Sequence, residues 1–374
     1  MPEDLTRTSP AAGVIEGTGP GNGSPAPAPG PPRRSFARRL PSLLSFRNIS
    51  AIYVFVVIFV IFSIWVPDTF LAGNTWKALI DSQAVTALVA VGVVITLSAG
   101  AFDLAVGTEV GFGAVFVAWL LVEQGVPVWA AIVLTILGGA AIGIFNGLLI
   151  VRARIDSFIA TLGVSSILLA LIAWITDSQQ ILGLSTSFQD IGTTQIGWFT
   201  LPVYIMLAAA IVVWYVLEWT PIGRRVYATG GNIEAARLAG VRTSLVITGA
   251  LICSGAIASF AGLLISTTVG AGDPTIGPSY LLPAFSAAFL GSTQFRGGRF
   301  NVWGTLVAVY LLATGVKGLQ LAGAPIWIPD LFNGAALLIA VGLARYQGTA
   351  RRAGAVGRVL RFRGQKKDKV DAAK

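Results

Sequence analysis

Apolar runs long enough to cross a bilayer alternate with short polar stretches from residue 49 to residue 343. A spanning helix needs roughly 20 apolar residues, because the hydrocarbon core is about 30 Å thick and a helix rises about 1.5 Å per residue. On that measure ten spans are predicted: 49–66, 83–99, a third ending near 122, 128–151, 158–175, 201–219, 245–268, 280–293, 302–321 and 327–343. The second, third and eighth are short for a full crossing, which predicts broken or re-entrant helices. The expected fold class is all-α: a polytopic integral membrane protein of about ten transmembrane helices. Segments 67–82, 176–200 and 269–279 read as loops on one side.

Composition strengthens this pattern. The 374 residues are 55% hydrophobic and only 11% charged, whereas soluble domains carry about 25% charged residues. There is no histidine and one cysteine, Cys253, inside an apolar run. A disulfide framework and a Cys/His metal site are therefore excluded within the chain, and no metal is expected.

Charge then orients the spans. Residues 1–46 are rich in Pro, Gly, Ala and Ser and read as a disordered, basic cytoplasmic tail. No apolar core lies near the start, so the tail does not read as a secretory signal. Residues 346–374 read as a second basic cytoplasmic tail, and 47–345 as the transmembrane domain between them. Arg152, Arg154, Arg224, Arg225, Arg237, Arg242, Arg296 and Arg299 all fall in loops on the side of the tails. Positive residues mark the cytoplasmic side, so both termini are expected there. The net charge of +9 flanks membrane spans, which points to contact with anionic membrane lipid and not to nucleic acid.

Few residues are suited to chemistry. Asp103 and Glu109 lie between two apolar runs in LSAGAFDLAVGTE, among Gly100 and Gly107. A carboxylate at membrane depth is costly and usually faces a cavity or a partner. Two readings fit: a polar hinge lining a translocation path, or a cytoplasmic loop with two solvated acids. Asn146, Thr161, Ser165, Ser166 and Thr248 sit inside spans, where such residues usually make helix–helix hydrogen bonds. Lys317, within the ninth span near its outer end, is expected to snorkel. No Gly-x4-Gly-Lys-[Ser/Thr] phosphate loop and no familiar catalytic set occurs, so no catalytic residue is assigned.

The longest charged cytoplasmic interruption is 220–244, TPIGRRVYATGGNIEAARLAGVRTS. It predicts a short helix of about eight residues. Gly230-Gly231 allows a sharp turn, Asn232 caps, and Glu234 meets the positive end of the helix dipole. Ala235, Ala236, Leu238 and Ala239, with Arg237 among them, continue the helix and Gly240 stops it. So short a helix needs packing to persist. On residue chemistry alone it is equally an ordinary charged loop.

These stretches carry a resemblance. LSAGAFDLAVG at 97–107, NGLLIVRARIDSFIATLG at 146–163, TPIGRRVYATGGNIEAARLAGV at 220–241 and FLGSTQFRGGRFNVWGTLVA at 289–308 resemble the permease subunits of bacterial ribose/xylose-type ATP-binding cassette importers. Those belong to the branched-chain amino acid/monosaccharide permease family. Ala101 stands where that pattern usually has a second glycine, and Lys317 stands where an Asn is common. The resemblance implies a multi-pass protein of a bacterial plasma (inner) membrane, with 220–244 as the loop that couples it to an ATPase subunit. It implies that ATP is bound by that partner and that this chain has no cofactor of its own. Further implied partners are an extracytoplasmic sugar-binding protein and a second copy of the permease. A nucleoside or autoinducer-type cargo within the same family remains open, as does, outside it, an ion-coupled transporter in which Asp103 and Glu109 titrate. A membrane enzyme is disfavoured by the missing catalytic sets.

Overall fold

A computed structural model describes residues 50–293 and 298–342. The two tails, the placement of both termini, and Arg296 lie outside the described residues. Ten helices correspond to the predicted spans: α1 (Ser50–Trp65), α3 (Gly73–Ala99), α4 (Val106–Val122), α5 (Val128–Val151), α6 (Ser157–Thr176), α8 (Leu201–Trp219), α11 (Thr243–Val269), α12 (Leu281–Ser292), α13 (Val302–Leu321) and α14 (Ile328–Gly342). Four shorter helices lie between them: α2 (Pro67–Phe70), α7 (Thr186–Thr193), α9 (Pro221–Gly231) and α10 (Ile233–Leu238). The only strands among the described residues are β1 (Gln195–Ile196) and β2 (Phe199–Thr200), an antiparallel pair that pins the turn before α8. The chain is an all-α polytopic membrane protein.

The second span departs from expectation. It is not short: α3 runs for 27 residues and begins at Gly73, inside the segment read as an outside loop. The apolar run starts only near residue 83, but the polar turns before it are satisfied locally. Lys77 pairs with Asp81 at 3.1 Å one turn on. The other Asp81 oxygen accepts from the backbone N–H and the hydroxyl of Thr200, both at 3.0 Å. Every residue from Ala84 to Ala99 is buried. A helix apolar on all sides belongs at the centre of a bundle, and α3 touches α8, α9, α11, α12 and α13.

The third and eighth spans are short, at 17 and 12 residues. For the eighth, the cause is a re-entrant approach. The segment after α11 runs down alongside α4, with Gly272 beside Ala118 and then Gly277 beside Gly111. Leu281, the first residue of α12, follows beside Gly107. That is roughly 16 Å of α4 at 1.5 Å per residue. Irregular backbone at such depth is tolerated only when packed in protein or lining a cavity, and glycines on both partners permit the close approach.

The two ends of the bundle are chemically distinct. At one end, Gly147 near the C-terminus of α5 abuts Thr248 near the start of α11, and Arg299 lies 4.0 Å above the Tyr227 ring. At the other, Ile181 bridges Gly272, and Thr200 binds Asp81. The basic loops therefore share one end, the cytoplasmic one by the positive-inside rule.

Between helices in lipid there is no hydrophobic driving force, so close packing of small residues carries association. On α5, Gly139, Gly143 and Gly147 form one face at four-residue spacing against α11. A Cβ at Gly143 would stand 2.6 Å from the Ile252 Cα. Gly143→Val should therefore lower the thermal unfolding midpoint in detergent, because overpacking costs about 1–3 kcal/mol. Gly249→Ala, where a Cβ meets nothing within 4 Å, should raise it slightly through helix propensity. Equal midpoints for wild type and Gly143→Val would contradict the packing.

Candidate functional site

Two elements predicted from the sequence meet in the structure: the break between α3 and α4, and the loop between α8 and α11.

The break spans residues 100–105. Helix α3 ends in a left-handed Gly100, φ 83°, whose N–H returns to the α3 backbone. The following backbone is held from α6. The Leu104 N–H donates to Thr161 Oγ1 at 3.0 Å, and the Phe102 N–H donates to Ser157 Oγ at 3.2 Å. Asp103 is fully buried and accepts from Ser254 Oγ of α11 at 2.7 Å. It also bonds the Ala105 backbone at the start of α4. Glu109, in the first turn of α4, is fully buried too, and one oxygen accepts from Asn146 Nδ2 at 3.4 Å. Asp103 Oδ1, Glu109 Oε2 and Asn146 Oδ1 have no hydrogen-bond partner among the described residues.

These are not solvated loop acids. Asp103, Glu109 and Asn146 sit within the bundle at zero exposure. Of the polar span residues singled out, Thr161 holds the break, and Ser165 accepts from the Thr108 hydroxyl at 3.2 Å. Ser166 bonds only its own helix. Gly107 serves the contact with the re-entrant segment. Ser254 and Ser157 were not singled out in the sequence. Ser254 lies 151 residues from its partner in an otherwise apolar run, and no local signal marks it.

The loop is more structured than expected. Thr220 ends α8 and caps α9, accepting from the Gly223 N–H, with Pro221 next as the first helical residue. Gly230 and Gly231 close α9 and do not form the sharp turn. Asn232 makes that turn with an extended backbone, φ −162°, which any residue adopts. Its side chain caps α10 by accepting from the Ala235 N–H at 3.0 Å. Helix α10 has six residues, fewer than the eight expected, because the C-terminal turn closes early. The Val241 N–H donates to the Ala236 carbonyl and the Gly240 N–H to the Arg237 carbonyl, both at 3.0 Å, with Gly240 at φ 82°. That is the Schellman arrangement a glycine favours.

Seven of the eight loop residues identified from the sequence face outward: Gly231, Asn232, Glu234, Ala235, Arg237, Leu238 and Gly240. Ala236 is the exception, buried against the rest of the protein. Glu234 and Arg237 pair with each other at 2.9 Å in solvent. Leu238 is 87% exposed and Ile233 45%.

Break and loop touch through glycines. A Cβ on Gly230, in the last turn of α9, would press on the Ser98 carbonyl and stand 3.0 Å from the Gly100 N. The loop thus rests directly on the end of α3 where the chain breaks.

An all-helical bundle with a buried polar break and a structured loop at its basic end is the architecture of a multi-pass membrane protein. The chain belongs to the branched-chain amino acid transport system / permease component family, which it matches over residues 75–341. It is similar to the ribose import permease protein RbsC of Bacillus subtilis, 34% identical over 77% of this chain and 90% of that one. It is also similar to the L-arabinose ABC transporter permease protein AraH of Azospirillum brasilense, at 32% over 81% and 88%. The autoinducer 2 import system permease protein LsrD of Escherichia coli is 29% identical over 68% and 78%. No solved structure matches the chain.

The hydrogen bonds from α6 generate a prediction. Thr161→Val keeps the side-chain volume but leaves the Leu104 N–H unpaired, at a cost of about 1–3 kcal/mol. Its unfolding midpoint should fall by several degrees, while Ser166→Ala stays within error of wild type. An unchanged midpoint in Thr161→Val would show that α6 does not hold the break.

Proposed function

We propose that this chain is the membrane subunit of an ATP-binding cassette importer that carries a monosaccharide into the cell, using ATP hydrolysed by a separate subunit. Support for the cargo class comes from relatives whose names specify ribose import and an L-arabinose transporter. Support for a separate ATPase comes from the family, and from the lack of a phosphate-binding loop in this sequence. An extracytoplasmic sugar-binding protein would deliver the cargo, and a second permease copy would complete the pore.

The single observation that carries the coupling role is α10 itself. A capped helix of six residues holds Leu238 almost wholly in solvent beside an exposed ion pair. An exposed leucine on a rigid cytoplasmic loop suits a groove on a partner. The exposed pair alone contributes a few tenths of a kcal/mol, so its loss hardly affects folding.

In this mechanism the ATPase subunits move α10, and α9 passes the motion to the break at Gly100 through Gly230. The break can respond because it is a two-state element: short, irregular and held by side-chain bonds from Ser157, Thr161 and Ser254. Gly100, Asp103, Gly107, Glu109 and Asn146 form this hinge. Burying two carboxylates with incompletely paired oxygens costs stability, which argues for a working role.

A second cargo, autoinducer-like, is favoured by the similarity to the autoinducer 2 import permease. Uptake assays with the assembled transporter separate the two.

Leu238→Asp should leave the permease inserted and abundant, weaken ATPase association at least tenfold, and abolish ATP-driven uptake. Glu234→Ala should do the same less strongly. Ala236→Asp is a poorer probe, since residue 236 is turned into the permease. Normal ATPase association and uptake in Leu238→Asp would remove the coupling assignment. Uptake that needs an ion gradient and no ATP would favour a secondary transporter.

A further inference from the structure

A cavity of about 340 Å³ lies in the outer half of the bundle, between α3, α12, α13 and α14. It begins where the re-entrant segment ends, at Tyr280. Gln83 of α3, Lys317 and Gln320 of α13, and Asp330 and Asn333 of α14 contribute its polar wall. Pockets for small molecules run from roughly 300 to 1,000 Å³, so this one is suited to a single small solute. Gln320 and Asp330 are exposed at its mouth, while Gln83, Lys317 and Asn333 are half-buried; ionisable groups within a membrane bundle usually mark a solute pathway.

Lys317 is the informative residue. A snorkelling lysine reaches for the headgroups, but this side chain lines the cavity and is partly buried. The two ion pairs among the described residues are Lys77–Asp81 and Glu234–Arg237, so Lys317 and Asp330 line the same cavity without pairing. Opposite charges kept apart disfavour a cationic or anionic solute, because each ion meets one repelling group. They favour a neutral solute that both donates and accepts hydrogen bonds at many positions. The ammonium offers donors, the carboxylate acceptors, and the three amides both.

We infer that this cavity is an extracytoplasmic waystation for a neutral polyhydroxylated solute, with Lys317 and Asn333 as its contact residues. The inference rests on the reading of the chain as a sugar permease and adds the place where the sugar first meets it. The re-entrant segment then has a reason to exist: it carries Tyr280 down to the cavity that irregular backbone at this depth is able to line.

The test uses the complete transporter, with its ATPase and binding protein, in proteoliposomes. Labelled D-ribose, L-arabinose and D-xylose are tried in turn, and the sugar that wild type takes up fastest is kept. Lys317→Met and Asn333→Leu should each reduce its uptake at least tenfold. Hydrolysis of ATP stimulated by the sugar-loaded binding protein should stay within twofold of wild type. Leu338→Ala, on an exposed face of α14, should change neither quantity. Unchanged uptake in both cavity variants would overturn the inference. So would uptake and stimulated hydrolysis falling together, since that places the cavity in folding or coupling. Wild type that takes up none of these sugars with ATP would instead count against the sugar-permease reading itself.

Discussion

The constraint that joins the loop to the bundle is a contact between backbones. Gly230 of α9 lies against Ser98 and Gly100 where α3 ends, and a methyl group on either glycine would meet backbone atoms of the other segment. Because no flexible side chain lies between them, displacement of one is met directly by the other. The loop that reaches the cytoplasm and the break inside the bundle are therefore mechanically one unit. Remove that contact and the α9–α10 loop and the polar break become two unrelated local features.

The rest of the bundle packs firmly around this unit. The glycine face of α5 locks it to α11, and α11 supplies Ser254 to Asp103. Helix α6 supplies the donors' partners for the irregular backbone at 102–104. The break is thus surrounded by rigid helices yet held by a few side-chain bonds, each worth about 0.5–1.5 kcal/mol net. Packing between the helices is stiff by comparison, because it consists of interlocked backbones.

Much of the architecture was legible in the sequence, and the omissions have physical causes. Spans with sharp polar borders, such as Val128–Val151 between Pro127 and Arg152 or Leu201–Trp219 before Thr220, are read to the residue. The start of α3 is not, because hydropathy registers Lys77 and Asp81 as polar and says nothing of their pairing with each other and with Thr200. Asn232 and Gly240 are legible as cap and stop because both act within a few residues. The break is foreseen from its glycines and carboxylates, but its supports, Ser157, Thr161 and Ser254, come from distant helices. Burial of Ala236 and the descent of 272–281 along α4 are likewise tertiary facts without a local signature.

The most direct test of the mechanical link is a single methyl group at its centre. Gly230→Ala leaves the exposed face of α10 untouched and pushes a Cβ against the Ser98 carbonyl. In the assembled transporter it should bind the ATPase normally and remain abundant in the membrane, yet lose at least tenfold in ATP-driven sugar uptake. Uptake at the wild-type rate, with normal ATPase binding, would contradict transmission through this contact.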